Sequence, residues 1–326
     1  MNEEHGESLN QVFSQAPALV AKKKWPWLNF VLFLLTIFST FFVGLSWSLS
    51  YKYANAFNQN FQLALGPAIF RDSEVISLSI IYAAVLIVIL LGHELGHYLA
   101  CRHYQVNATL PYFIPAPTLI GTLGAFIKIK SPITRKKDLF DIGIAGPLAG
   151  FVLSLPALFY GLALSKIVPA LPPGESLALG EPLLLKLAGG LIFRGIPPGH
   201  EIILHPVAFA GWVGVLVTSY NLFPMGQLDG GHVSYALIGS RSKTLGRVFL
   251  GCFFLMGVFF WVGWFVWALL ILLLGLKHPQ VSDEEASLPR SRKALSFLIF
   301  IIFVLSFIPD PIKGYNIFDL WKQFGF

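Results

Sequence analysis

Within an apolar run the chain reads Leu90-Leu91-Gly92-His93-Glu94-Leu95-Gly96-His97-Tyr98. Histidines four residues apart on a helix share one face, so His93 and His97 can both reach one zinc ion. Glu94, next to the first of them, is placed to take a proton from water at that metal, the chemistry of a hydrolytic H-E-x-x-H helix. It is also the sole Asp, Glu, Lys or Arg between Ile76 and Ala100. An ionisable group in so apolar a helix is costly and persists mainly where it pairs, binds an ion or reacts. The competing reading is a polar cluster that only stabilises helix packing.

Two imidazoles and a water leave zinc one protein ligand short of the usual three. The best supplier is the stretch Asn221-Leu222-Phe223-Pro224-Met225-Gly226-Gln227-Leu228-Asp229-Gly230-Gly231-His232. Asp229 is the only carboxylate between Ile202 and Ser240, a window that also lacks Lys and Arg. A helix cap at a Gly-rich turn competes with a ligand role for Asp229. His232, three residues on, is a rival ligand.

The elements that must position these residues are membrane spans. The 326 residues carry 23 Lys plus Arg against 17 Asp plus Glu, a net charge of +6. Charged residues make up only 12%, while 55% are hydrophobic, 15% aromatic, and the mean hydropathy is +0.69. So few charges cannot cover a soluble globular enzyme, and so many apolar residues exclude disorder. Two cysteines, Cys101 and Cys252, exclude a disulfide scaffold. The basic residues lie between apolar runs with no contiguous patch for nucleic acid. Residues 1–24 are polar with three carboxylates and read as a tail, not as a signal or transit peptide.

Apolar segments at about 27–49, 76–100, 140–165, 203–225 and 294–309 read as single spans. Residues 245–276 read as a tight hairpin of two more, turning at Trp261, Gly263 and Trp264, which gives seven. With the N-terminus cytoplasmic, sixteen lysines and arginines fall inside and seven outside; a single span at 245–276 gives fourteen and nine. Residues 111–133 break the pattern with four prolines and two glycines, then alternate in Phe126-Ile127-Lys128-Ile129-Lys130. They read as a strand pair or loop dipping into the membrane, tolerable only where protein or a wet cavity satisfies its backbone. Residues 166–202, rich in Pro and Gly, read as an interfacial or re-entrant piece on the outer side. On this topology Asp229 and the two histidines meet near the inner ends of their spans.

His93–His97 and the N-x-x-P-x-x-x-L-D-G pattern at 221–230 resemble the site-2 protease family of intramembrane zinc metalloproteases. Gly121-Thr122-Leu123-Gly124-Ala125-Phe126 and Ala145-Gly146-Pro147-Leu148-Ala149-Gly150 extend the likeness over roughly residues 76–280. The resemblance implies Glu94 as the catalytic glutamate and His93, His97 and Asp229 as ligands of one zinc ion per chain. It also implies transmembrane proteins as substrates, cut near the cytoplasmic side in regulated intramembrane proteolysis. No loop is long enough for a PDZ domain, which is similar to the PDZ-less bacterial and chloroplast branch. In the family's light, Asn221 binds the substrate carbonyl or oxyanion; an interhelical polar contact is the plainer alternative.

The scissile bond of a helix is shielded, so a substrate must unwind locally. Gly124, Ala125, Phe126 and Ile127 are the strand that would receive it, unless the hairpin is purely structural. Gly146 and Gly150 form a G-x-x-x-G pair and read as helix packing. His200 and His205 read as surface or interfacial residues, Cys101 as packing, and Asn107-Ala108-Thr109 as an unused glycosylation pattern on the inner side. Two rival functions remain. A prenyl-protein type of membrane zinc peptidase would want a downstream glutamate ligand, and none occurs between Glu201 and Glu284. A non-catalytic membrane-protein binder would be expected to lose Glu94 or a ligand.

The expectation is therefore an all-α polytopic membrane protein with about seven transmembrane helices and a re-entrant β-hairpin or loop. Its parts are a cytoplasmic tail over 1–26, a first helix and outer loop over 27–75, the metalloprotease core over 76–280, and a last helix and tail over 281–326. Its surroundings are the lipid bilayer, a bacterial plasma membrane, with no nucleic-acid partner.

Overall fold

The computed structural model describes residues 25–53, 70–170, 178–276, 281–283 and 286–323. The expected tail, apart from Trp25 and Pro26, and most of the expected outer loop lie outside them. Helix α1 spans Trp27–Lys52 and α2 spans Ser73–His103. Asp72 caps α2, accepting from the backbone N–H groups of Glu74 and Val75 at 3.1 and 3.3 Å. Lys52 reaches back from α1 to Asp72 at 2.7 Å and Glu74 at 3.0 Å, which ties the two helices at that end.

An antiparallel strand pair follows, β1 (Tyr112–Pro115) and β2 (Thr122–Phe126), in register Tyr112↔Phe126, Phe113↔Ala125 and Pro115↔Thr122. Main-chain bonds from Thr109 to Lys128 and from Lys130 to Asn107 continue the pairing beyond the strands. The expected strand pair in 111–133 is thus present as a hairpin. Helix α3 spans Lys136–Ala163, and a second small hairpin joins β3 (Lys166–Pro169) to β4 (His200–Ile203). Between those strands lies the short helix α4, Leu183–Ile192.

Helix α5 (Pro206–Asn221) is the centre of the molecule, buried along nearly all its length. It is apolar on every face, as a helix enclosed by others must be. Helices α2 and α3 pack along it and along each other, with glycines where the backbones meet. A Cβ on Gly96 would lie 2.4 Å from Ala145 O, and one on Gly161 2.1 Å from Ala208 N. Then come α6 (Asp229–Ile238), a turn of 3-10 helix at Gly239–Arg241, α7 (Ser242–Phe259) and α8 (Gly263–Leu274). Helix α9 spans Arg290–Ser306 and α10 spans Ile317–Gln323.

Four stretches among the described residues are long and apolar enough to cross a membrane: Trp27–Lys52, Ser73–His103, Lys136–Ala163 and Asp229–Phe259. The other segments expected to span are carried by shorter helices. Helix α5 has 16 residues, about 24 Å, against a hydrocarbon core of about 30 Å. Residues 245–276 do break at Phe260–Val262, where the turn was expected, but α8 has only 12 residues, about 18 Å. Helix α9, with 17, reaches about 26 Å. Large apolar side chains such as Phe30, Phe38 and Phe42 on α1 and Phe297 and Phe300 on α9 are exposed, as faces toward lipid would be.

Candidate metal centre

His93 and His97 lie on the buried face of α2, their side chains turned toward α3 and the start of α6. His97 Nδ1 lies 2.8 Å from Ile142 O of α3, a carbonyl that can only accept, so Nδ1 carries the proton. Its Nε2 is left with a bare lone pair, 3.2 Å from His93 Nε2. Asp229 Oδ2 stands 3.3 Å from His93 Nε2 and 3.2 Å from His97 Nε2. Oδ2 is buried and accepts no hydrogen bond. The three atoms stand at edges of 3.2–3.3 Å, the spacing that ligands of one shared cation would take. A tetrahedral zinc with ligands at roughly 2.0 Å would set such edges at about 3.3 Å. The donor set therefore fits the metal the sequence called for.

The local folding of each ligand has a cause. Helix α5 ends at Asn221 with Leu222 as its C-cap, two residues before Pro224. The chain doubles back so that α6 starts against the turn just made. A Cβ on Gly230 would lie 2.0 Å from Leu222 O, and one on Gly231 2.4 Å from Gly226 O, so Asp-Gly-Gly is what this approach permits. Leu228 occupies the N-cap position of α6, and no side chain caps it. The cap reading of Asp229 does not hold, because the carboxylate turns toward the histidines. Among the described residues His93, His97 and Asp229 gather their donor atoms within 4.8 Å, and His232 is not one of the group. His232 packs its Cβ where a side chain on Gly143 would fall, 2.9 Å away.

Glu94 is buried, 4% exposed, on the helix against which β2 packs. Asn221 closes α5 with Nδ2 3.3 Å from His93 Nε2, a polar contact between α5 and α2 made at the centre itself. Of the expected strand, Gly124 is buried, Ala125 and Ile127 are half-buried and Phe126 is exposed, stacked on Tyr112 at 5.4 Å. Strand β2 pairs with β1 on one edge and with no described strand on the other. Gly124 has φ +97°, with open space where a Cβ would point.

Two features lay beyond the sequence reading. Gly146 and Gly150, read as packing, sit against the histidine rings. A Cβ on Gly146 would lie 2.1 Å from His97 Nε2, the donor atom itself, and one on Gly150 3.1 Å from His93 Nδ1. The close helix approach read from the G-x-x-x-G spacing is present, with Gly146 Cα 3.1 Å from where a Cβ on Gly96 would fall, and the same spacing leaves room for the rings. The Ile142 carbonyl that sets the His97 tautomer had no signal, since every residue carries one. His200 is exposed as expected, whereas His205 is buried as the N-cap of α5, its Nδ1 accepting from Val207 N at 3.2 Å. That is a correction: the helix start at Pro206 needs a side-chain acceptor there. Cys101 is fully buried and unpaired, consistent with packing.

Residues 81–264 match the model of peptidase family M50. The chain is 34% identical over 223 residues to the probable zinc metalloprotease EGY1, chloroplastic, of Oryza sativa subsp. japonica, covering 65% of this chain and 38% of that protein. It is 29% identical over 253 residues to the probable zinc metalloprotease EGY2, chloroplastic, of Arabidopsis thaliana, covering 74% and 44%. The chain thus spans about two fifths of the length of these relatives.

Proposed function

This chain belongs to peptidase family M50, and from that premise we propose that it is a zinc-dependent intramembrane endopeptidase cutting transmembrane helices of other membrane proteins. The observation that carries the reading is the convergence of two imidazole nitrogens and one carboxylate oxygen beside a buried glutamate. His93, His97 and Asp229 would hold one zinc ion per chain. Bound there, zinc supplies Lewis acidity, which lowers the pKa of water and polarises a carbonyl.

The chain's own residues supply the rest. Glu94 accepts the proton of the attacking water and returns it to the leaving amine. The Ile142 carbonyl holds the His97 tautomer and ring direction, as partners of metal-binding histidines commonly do. Asn221 donates its amide N–H to the scissile carbonyl oxygen as negative charge gathers there. The open edge of β2 receives the unwound substrate main chain to main chain, which brings the substrate beside Glu94. Burial of the centre keeps bulk water from competing for these donors.

The lysine and arginine split supports an N-terminus on the cytoplasmic face, with the hairpin dipping into the bilayer and cleavage near that face. The relatives are named as chloroplastic, so the corresponding face of a chloroplast membrane is as consistent with the split as the expected bacterial plasma membrane. The test is a comparison of membrane proteomes from cells carrying the wild type or Glu94→Gln. Membrane proteins that accumulate uncut only with the variant support the reading; identical proteomes count against it.

A further inference from the structure

Helix α1 lies outside the residues that match the family, 81–264, yet the β1–β2 hairpin is docked on it. Polar side chains of α1 reach the hairpin's main chain. Asn29 Nδ2 donates to Leu110 O and Pro111 O, each at 2.9 Å. Ser39 Oγ donates to Gly121 O at 2.6 Å, and Trp47 Nε1 to Leu119 O at 3.0 Å. The carbonyl between them, Ile120 O, accepts from Tyr82 Oη of α2 at 2.9 Å. Three consecutive carbonyls of the hairpin turn are thus held by three different side chains, and the start of β1 by a fourth. The approach is close: a Cβ at Gly121, φ +84°, would lie 2.7 Å from Thr40 Cα.

Carbonyls without donors are expensive in apolar surroundings, which alone would favour such bonds. Their geometric consequence goes further. They fix the height and angle of a hairpin whose second strand packs against α2, the helix that carries Glu94 and the two histidines. A strand laid on the open edge of β2 takes its register from where that edge stands relative to the metal ligands. Slipping by one residue turns every side chain to the wrong face, so tolerated slips come in steps of two.

We infer that α1 decides which peptide bond is cut: Asn29, Ser39 and Trp47 are positioning residues that hold β2, and a substrate strand on it, in register with Glu94. This rests on the protease reading above. The test uses the full chain, zinc-loaded in phosphatidylcholine vesicles. The probe is a single-span helix with a tag at each end and Gly and Asn residues weakening its middle. The masses of both fragments give the bond cut. Wild type and Ser39→Thr, which keeps the hydroxyl, should cut at one position.

Ser39→Ala with Trp47→Phe, and separately Asn29→Leu, should keep wild-type zinc content. Their cuts should spread to bonds about two residues away, with KM raised roughly threefold to tenfold, as for a lost hydrogen bond or two. A role in stability alone would leave the cut position where it was. Zinc-replete variants that cut only the wild-type bond with wild-type KM overturn the inference. If the double variant does not fold, Asn29→Leu, half-buried near the start of α1, decides alone. A wild type that binds zinc but leaves the probe whole overturns the protease reading, and this inference with it.

Discussion

At His97 the difference between a core histidine and a metal ligand comes down to which nitrogen carries the proton. Ile142 O takes Nδ1–H, and Nε2 is left facing His93 Nε2 and a carboxylate oxygen of Asp229. The H-E-x-x-H spacing made this pair legible, because a four-residue step on a helix has one geometric meaning. Asp229 was legible through isolation, as a single carboxylate in a long uncharged window. His232 stayed open on sequence, since three residues of helix would also bring it to the same side. The chain's return on Leu222 and Gly226 points the first residue of α6 at the histidines, and His232 is not among the grouped donors. Asp229→Ala should therefore lose tightly bound zinc, while His232→Ala retains most of it, as metal analysis of the purified variants would report. An empty His232→Ala would reverse the assignment.

Helix α3 is the element through which the centre is given its shape. Its Gly146 leaves room for the His97 ring, so the penalty of a methyl there should come from that ring and not from the helix crossing. Gly146→Ala should lower stability by about 1–3 kcal/mol, the usual scale for overpacking, and displace zinc. In a His97→Ala background the stability penalty should fall to near zero, which thermal unfolding of the four proteins in a double-mutant cycle measures. An undiminished penalty would make Gly146 a packing residue only. Hydropathy made α1, α2 and α3 legible, since each is a long apolar run with a charged or polar boundary. At α5 and α8 it marks apolar helices of 16 and 12 residues, and hydropathy alone does not tell a segment enclosed by protein, as α5 is, from one facing lipid. The hairpin was legible from its prolines, glycines and alternation. Its attachment to α1 was not, because the acceptors are main-chain carbonyls and Asn29, Ser39 and Trp47 look like ordinary residues of a span.

For the molecule as a whole, the basic residues assign one face. Ser282 N donates to Thr134 O, so the segment before α9 rests at the α3 start beside Arg135, Lys136 and Lys137. With Cys252, which is exposed, replaced by serine, cysteines placed at Ser282 and at Lys137 should be labelled from the same face as the N-terminus. Labelling of either from the opposite face would invert the topology. The metal-binding group and its glutamate lie nearer that end of α3 than the end where Leu164 meets Tyr51. The claim that all of this serves peptide-bond hydrolysis turns on Glu94, buried between the two histidines in the chain. Its direct test is cleavage of a tagged single-span helix by purified wild type and Glu94→Gln, each carrying one zinc per chain. The account predicts two fragments from wild type and none above background from Glu94→Gln. Appreciable cleavage by the zinc-replete variant, or none by the wild type, would contradict it.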